Sequence, residues 1–320
     1  MAFSLQALAA AALSLLAGTA HAAWPERPVR LIVPYPAGGA ADSIARVVAT
    51  QLSERLKQQV LVENRAGAGG TIGAQAVAQA PADGYTFLYD ATSFAVNPNL
   101  FRKLGFSYAK DFVPVSMVAR IPTLLVVPAT APVGSVAELV KAARSPQGPL
   151  TYASAGNGSA SQLTAAMFAQ GFNVPMVHVP YKGGAPALTD LAGGQVQLMF
   201  SAVTASLPLV KAGKLKALAT ASPQRLPTLP DLPTVAESGL PGFQAFEWNA
   251  VFAPAATPAD IVARMESELQ QVLTSAAVRQ RLDELGALPA TGGAKELDRF
   301  VKAETAQWAR VIKTAGITLD

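Results

Sequence analysis

The chain has 320 residues, no cysteine, and a net charge of +4 from 25 Lys plus Arg against 21 Asp plus Glu. That length exceeds what one hydrophobic core usually organises, so two domains are expected. Without cysteine there are no disulfides, thiolate metal ligands or thiol nucleophile, and the scattered basic residues leave no nucleic-acid footprint.

Residues 5–20 form an uncharged Ala/Leu-rich run, and Ala20-His21-Ala22 satisfies the small-x-small rule for signal cleavage. The sequence predicts a signal peptide over 1–22, a periplasmic mature chain starting near Ala23, and no later membrane span.

The first mature element is a buried strand over 29–33, followed by the Pro/Gly run Pro34-Tyr35-Pro36-Ala37-Gly38-Gly39. Asp42 is placed to cap a helix with Ile44, Val47, Val48, Leu52 and Leu56 on one face. A short strand at 60–62 leads into the glycine-rich loop 64–70 and a helix from Thr71. A third strand over 85–89 ends at Asp90-Ala91-Thr92-Ser93. Strand-loop-helix repetition of this kind predicts a parallel α/β sheet.

An apolar stretch over 115–127, broken by Arg120 and Pro122, is long enough to carry the chain into a second domain. A helix at 136–143 and a second α/β series follow: strand 150–153, helix 161–170, strand 176–179, helix 186–192, strand 197–200, helix 207–212, strand 217–220. Pro227, Pro230, Pro233 and Pro241 mark an irregular loop, and 246–252 is a second crossover strand. Thr257 and Pro258 suit N-cap and N1 of a long helix stopping at Gly286, and a last helix ends at Gly316. The expected division is domain 1 over 23–122 plus 249–320 and domain 2 over 123–248, with two crossings that suit closure around a ligand.

Enzymatic signatures are missing. No G-x-S-x-G elbow is present, and beyond the leader the chain has a single histidine, His178, in an apolar strand where a structural hydrogen bond suffices. The run Gly67-Ala68-Gly69-Gly70-Thr71-Ile72-Gly73 misses the dinucleotide fingerprint because Ile72 stands at a glycine position. It reads as a tight strand-to-helix turn. No metal site, cofactor or catalytic residue is expected.

Two loops suit anion binding instead. Tyr35, Ala37, Gly38, Gly39 and Asp42 surround one helix start, and Ser154, Ala155, Gly156, Gly158, Ser159 and Ser161 surround another. Backbone N–H groups and the dipole at a helix start attract a carboxylate. Ser159 and Ser161 serve equally well as N-caps, and Thr92 and Ser93 as hydroxyl donors or as caps of the next turn. Lys182 either adds charge at the cleft mouth or is simply exposed. Ser201 ends a strand at the sheet edge where ligands sit in open α/β folds. Trp248 either packs in the hinge or walls the pocket.

The motifs VPYPAGGAAD (33–42), NRAGAGGTIGA (64–74), APADGYT (80–86), KDFVPVS (110–116), YASAGNGS (152–159), PYKGGAPALTDLAGGQV (180–196) and RLPTLPDLPTVAESGLPGF (225–243) occur in order. In these the chain resembles the Bug family, the TctC-like periplasmic solute-binding receptors of tripartite tricarboxylate transporters. The resemblance implies an α/β type II periplasmic-binding-protein fold: two lobes joined by two crossover strands, with a ligand cleft between them. It implies a monomeric, non-catalytic receptor that passes a small carboxylate (a di- or tricarboxylate or an aromatic acid) to membrane permease subunits. A periplasmic sensory partner of a membrane receptor is the alternative. In the family the 33–42 loop holds ligand partly through bridging waters, and the 152–159 loop grips a carboxylate. Two departures stand out: Gln162 where the family often has His, and Ser201 where it often has Asp. The missing Asp argues for a plain carboxylate over an amino acid.

Overall fold

The structure, a computed structural model, describes residues 24–146, 149–290 and 292–318. The predicted signal peptide and the start at Ala23 lie outside the described residues. The elements in order are β1 (Val29–Val33), α1 (Ala40–Leu56), β2 (Val60–Asn64), α2 (Thr71–Ala78), β3 (Thr86–Ala91), α3 (Ser93–Leu100) and β4 (Phe112–Pro128). They continue with α4 (Val136–Ala143), β5 (Leu150–Ser154), α5 (Ala160–Phe172), β6 (Met176–Pro180), α6 (Gly184–Ala192), β7 (Leu198–Ala202), α7 (Val203–Lys211) and β8 (Leu215–Thr220). The last are β9 (Phe246–Pro254), α8 (Ala259–Thr274), α9 (Ala276–Glu284), β10 (Leu288–Pro289) and α10 (Ala294–Ala315).

The expected parallel strands are present, within a sheet that is mixed as a whole. β1 runs parallel to β2 and β3, and β5 parallel to β6 and β7. Between these sets β4 and β9 lie antiparallel, from Phe112↔Pro254 to Pro122↔Phe246. β9 also pairs with β3, and the far end of β4 pairs with β7 and β8. The reason is the route of the chain: β4 carries it out of the first set and β9 brings it back, so the two run in opposite directions. The 17 residues of β4 span roughly 55 Å at about 3.3 Å each, enough to serve both sets.

Helical spacing explains the packing. On α1, Ile44, Val48 and Leu52 are buried at four-residue intervals, and each contributes about 1.5–3 kcal/mol of burial. Lys57 ends the helix in the left-handed region at φ 54°. Helix α2 lies hard against the end of β1: a Cβ on Gly73 would sit 2.7 Å from Pro34 Cβ. That close approach accounts for one glycine of the 64–74 motif. Trp248 is fully buried, stacks edge-on to Phe300 at 5.5 Å and donates from Nε1 to Glu304 Oε2 at 3.2 Å. It is core between β9 and α10.

Several boundaries differ from expectation. Helix α3 was not anticipated, because Ser93-Phe94-Ala95-Val96-Asn97-Pro98 offers no apolar period and carries an internal proline. The helix expected through to Gly286 breaks at Ser275, whose extended backbone and hydroxyl cap α9 by accepting from the Val278 amide. Pro258 at ψ 136°, not Thr257, occupies the N-cap of α8.

Candidate functional site

The loop after β1 hands the chain to α1 through Gly39, an N-cap with no side-chain bond. Asp42 is not the cap. It sits in the first helical turn and reaches back: Oδ2 accepts from the Gly38 amide at 2.8 Å and from Arg46 Nε at 3.0 Å, and Oδ1 accepts from Asn64 Nδ2 at 2.8 Å. Asn64 also donates to the Tyr35 carbonyl at 3.1 Å. Burial works to raise the Asp42 pKa, but Arg46, the Gly38 amide and Asn64 together hold it below the usual carboxylate value. Asp42 therefore braces the loop, and both its oxygens are already used. Pro36 to Gly39 are exposed. Among the described residues the Gly39, Ala40 and Ala41 amides make no backbone bond outside the helix, as expected for orphan donors at a helix start.

Tyr35 ties the same loop to the end of β3. Its hydroxyl donates to Asp90 Oδ1 at 2.7 Å and also meets Ser93 Oγ. Asp90 Oδ1 accepts from Ser93 Oγ at 2.9 Å and from the Ala91 amide at 2.8 Å as well. Asp90 Oδ2 is buried with no partner among the described residues. Burial raises the Asp90 carboxyl to about 6, against the opposing pull of Tyr35, the Ala91 amide and Ser93. Ser93 thus belongs to a latch that fixes Tyr35. It does not stand free as a donor.

The second helix start is wired differently. Ser159 is the N-cap of α5, accepting from the Gln162 amide. The Ala155 amide donates to Ser161 Oγ at 3.0 Å, the Gly156 amide to Ser154 Oγ at 3.1 Å, and the Gly158 amide to Gln162 Oε1 at 2.6 Å. The Ser159 amide donates to the Gly156 carbonyl at 3.2 Å, so four of the expected amides are spent inside the loop. Among the described residues the amides of Asn157, Ala160 and Ser161 find no such partner. Gly156 and Gly158 hold φ of 128° and 75°, where a side chain is disfavoured. A Cβ on Gly158 would overlap Leu100 of α3, so this loop touches the half that carries Tyr35 and Asp90.

Behind the loop stands His178 on β6. Its Nε2 lies 2.6 Å from Ser154 Oγ, and its Nδ1 accepts from Gln162 Nε2 at 3.1 Å. Tyr152 stacks on the ring at 5.0 Å. Burial lowers the His178 pKa. The structural reading of His178 holds, and Gln162 is its partner.

Lys182 is exposed in the turn before α6. Ser201 is buried within β7, its hydroxyl 3.4 Å from the Ala202 carbonyl. Sequence reasoning missed Asn249, whose buried Oδ1 has no partner among the described residues and which lies across from Ala91 and Ala119. It also missed Thr123, across from Ala202, and nearby Thr204, whose buried hydroxyls likewise have no partner among the described residues. Unpaired buried polar groups cost free energy unless a further partner meets them. Glu247 lies on β9 two residues beyond its last pair with β3, and burial raises its carboxyl to about 7. Among the described residues no group of three metal-ligating side chains occurs, and no helix is long and apolar enough to cross a membrane. Two surface cavities, of about 490 and 330 Å³, lie away from both loops.

A family model described as the tripartite tricarboxylate transporter family receptor, TctC, matches residues 44–317. The chain belongs to the TctC receptor family. BugT of Bordetella pertussis is 36% identical over 298 residues, covering 92% of this chain and 91% of BugT. The structure of R. palustris Rpa4515 with adipate is 41% identical, with a TM-score of 0.85 over 92% of this chain and 99% of that one. MatC of Rhodopseudomonas palustris with bound malate is 35% identical, with a TM-score of 0.81 over 90% of this chain and 100% of that one. The Bug and TctC resemblance seen in the motifs is borne out, and with it the two-lobed α/β fold of periplasmic solute-binding proteins. TctC receptors are solute-binding proteins, and the two R. palustris neighbours are structures with small dicarboxylates.

Proposed function

We propose that this TctC receptor captures a small carboxylate in the periplasm, between the α1 and α5 helix starts, and passes it to the permease of a tripartite tricarboxylate transporter. The observation that carries the reading is the pair of helix starts with uncommitted amides, after Gly39 and after Ser159, the second loop lying at Gly158 against Leu100 of α3, the helix whose first residue Ser93 bonds Tyr35. Several oriented N–H groups and two dipole ends favour an anion without a fixed cation. The neighbours with adipate and malate favour a dicarboxylate within that class. The lobes in this reading are 23–122 plus 249–320 and 123–248. The site in this reading comprises Tyr35, Ala37, Gly38, Gly39, Ser154, Ala155, Gly156, Gly158, Ser159, Ser161, Lys182 and Ser201, with Asp42 and Ser93 bracing it. Calorimetry and thermal shift with adipate, malate, citrate, benzoate and glutamate test the reading. A saturable rise in melting temperature with a carboxylate supports it, because ligand that binds only the native state stabilises by mass action. No shift and no heat with any of them overturns it.

A further inference from the structure

Besides the Ser159 bonds to the Gly156 carbonyl and the backbone bonds from Tyr181 and Gly183, the loop from Ser154 to Gln162 carries one chain of hydrogen bonds that passes through His178 and whose direction is fixed at both ends. At one end Gln162 Oε1 accepts from the Gly158 amide. The other end of that amide group, Nε2, is a donor only, so His178 Nδ1, 3.1 Å away, must be the acceptor. The imidazole proton then sits on Nε2 and points at Ser154 Oγ, 2.6 Å away. Ser154 Oγ in turn donates to the Gly156 carbonyl at 3.0 Å and accepts from the Gly156 amide at 3.1 Å. Every link is compatible with one tautomer, the neutral Nε2–H form.

A second proton on His178 has no place in this arrangement. It would set Nδ1–H against the Gln162 NH₂, donor against donor. Turning the Gln162 amide over relieves that conflict and creates another, because the NH₂ then faces the Gly158 N–H. The groups around the ring offer no alternative acceptor: Tyr152 stacks on its face from β5, Ser154 lies at its Nε2, and Gln162 from α5 lies at its Nδ1. Among the described residues, no carboxylate or cation is bonded to it, and none contributes to the shift of its pKa.

We infer that Gln162 and His178 are positioning residues for solute capture, and that protonation of His178 releases the Gly156–Gly158 segment of the loop and weakens binding. This rests on the capture reading above. The protein would then hold its carboxylate at neutral pH and let it go in mild acid, the reverse of what a simple cation beside the ligand would do. Breaking one such bond while leaving a buried donor unpaired corresponds to about a tenfold loss of affinity. Burial, which disfavours the charged ring, acts in the same direction as this wiring.

Gln162→Glu is the discriminating variant. A carboxylate at 162 accepts from the Gly158 amide with one oxygen and from a protonated His178 Nδ1–H with the other, so the loop keeps its shape with the ring charged. Its added negative charge lowers affinity for an anion at every pH, but the acid limb disappears. Adipate affinity is measured by calorimetry from pH 8 to pH 5 for the wild type, Gln162→Glu and His178→Gln. In parallel, ¹⁵N spectra follow the imidazole and the Gly156 and Gly158 amides without ligand, the His178→Gln spectrum assigning the ring signals. The expected result is an Nε2–H tautomer at neutral pH, with both glycine amides shifting together with the ring in wild type. Those amides do not shift in this way in Gln162→Glu. Affinity falls about tenfold on acidification in the wild type alone. An Nδ1–H tautomer, glycine amides indifferent to the ring, or affinity that holds or rises in acid overturns the inference. Failure of adipate and the other acids to bind at any pH overturns the capture reading instead, and the spectra still decide the wiring.

Discussion

Replacing Asp90 with asparagine isolates the buried carboxyl that latches Tyr35. Asp90 accepts three hydrogen bonds on Oδ1 and none on Oδ2, and burial raises it to about 6 from an ordinary 3.8. A raised acid favours the protonated native state: its contribution is full below the unfolded value and is lost as pH climbs through the folded one. A gap of about two pH units corresponds to about 3 kcal/mol between full protonation and full ionisation. Between pH 8 and pH 5 the accessible part is about 1.4 kcal/mol. Asparagine keeps the acceptor for Tyr35 and cannot ionise. Its NH₂ carries a penalty for replacing Oδ2, but that penalty is the same at both pH values and cancels in the comparison. Urea denaturation of both proteins at pH 8 and pH 5 therefore gives a variant-minus-wild-type difference about 1.4 kcal/mol more favourable to Asp90→Asn at pH 8. An identical difference at the two pH values would show that Asp90 is ionised throughout and would refute the reasoning.

Asp42→Ala removes the partner of the Gly38 amide, Arg46 and Asn64 at once. A loss of about 2–4 kcal/mol is expected at pH 7 by chemical denaturation. Because Asp42 is held low, the deficit narrows only as pH falls through the acidic carboxylate range. Gly158→Ala places a side chain at φ 75° against Leu100. It costs at least about 1–2 kcal/mol in backbone strain, and a double-mutant cycle with Leu100→Ala reads the overlap as a coupling between this loop and α3. Gly39→Leu starts from an ordinary φ of −75° at an exposed position, where the added Cβ meets only the Pro36 carbonyl at 3.5 Å. Stability is expected to change by less than about 1 kcal/mol, while adipate affinity falls at least about tenfold; full retention of affinity contradicts the role of this loop.

Elements with a clear period were legible in the chain itself. The helix at Val136–Ala143 coincides with its expected bounds, because Ser135 caps it and Leu139 and Val140 repeat the apolar face. The crossover strands were legible from their apolar runs. Helix α3 was not, since its eight residues owe their shape to Phe94 stacking on Phe252 of β9, 3.8 Å between ring centres. The break at Ser275 also escaped, because apolar spacing continues across it and only the cap reveals the stop.

The site was legible as two loops and not as two networks. The glycine and serine motifs marked both helix starts. What they did not show is which donors are spent. Tyr35 meets Asp90 across 55 positions of sequence, and Ser154 meets His178 across 24. Nothing local in the sequence signals pairings of that separation. Asn249 and Thr123 were missed for the same reason: each reads as an ordinary strand residue until β4, β7 and β9 are laid side by side.

The central claim is that the α1 and α5 helix starts hold one carboxylate between them. It is tested most directly by titrating ¹⁵N-labelled protein with adipate and following the backbone amides. The expected result is a saturable shift of the Gly39, Ala40 and Ala41 amides together with those of Asn157, Ala160 and Ser161, all with one dissociation constant. Binding that shifts neither set, or only one of them, would contradict it.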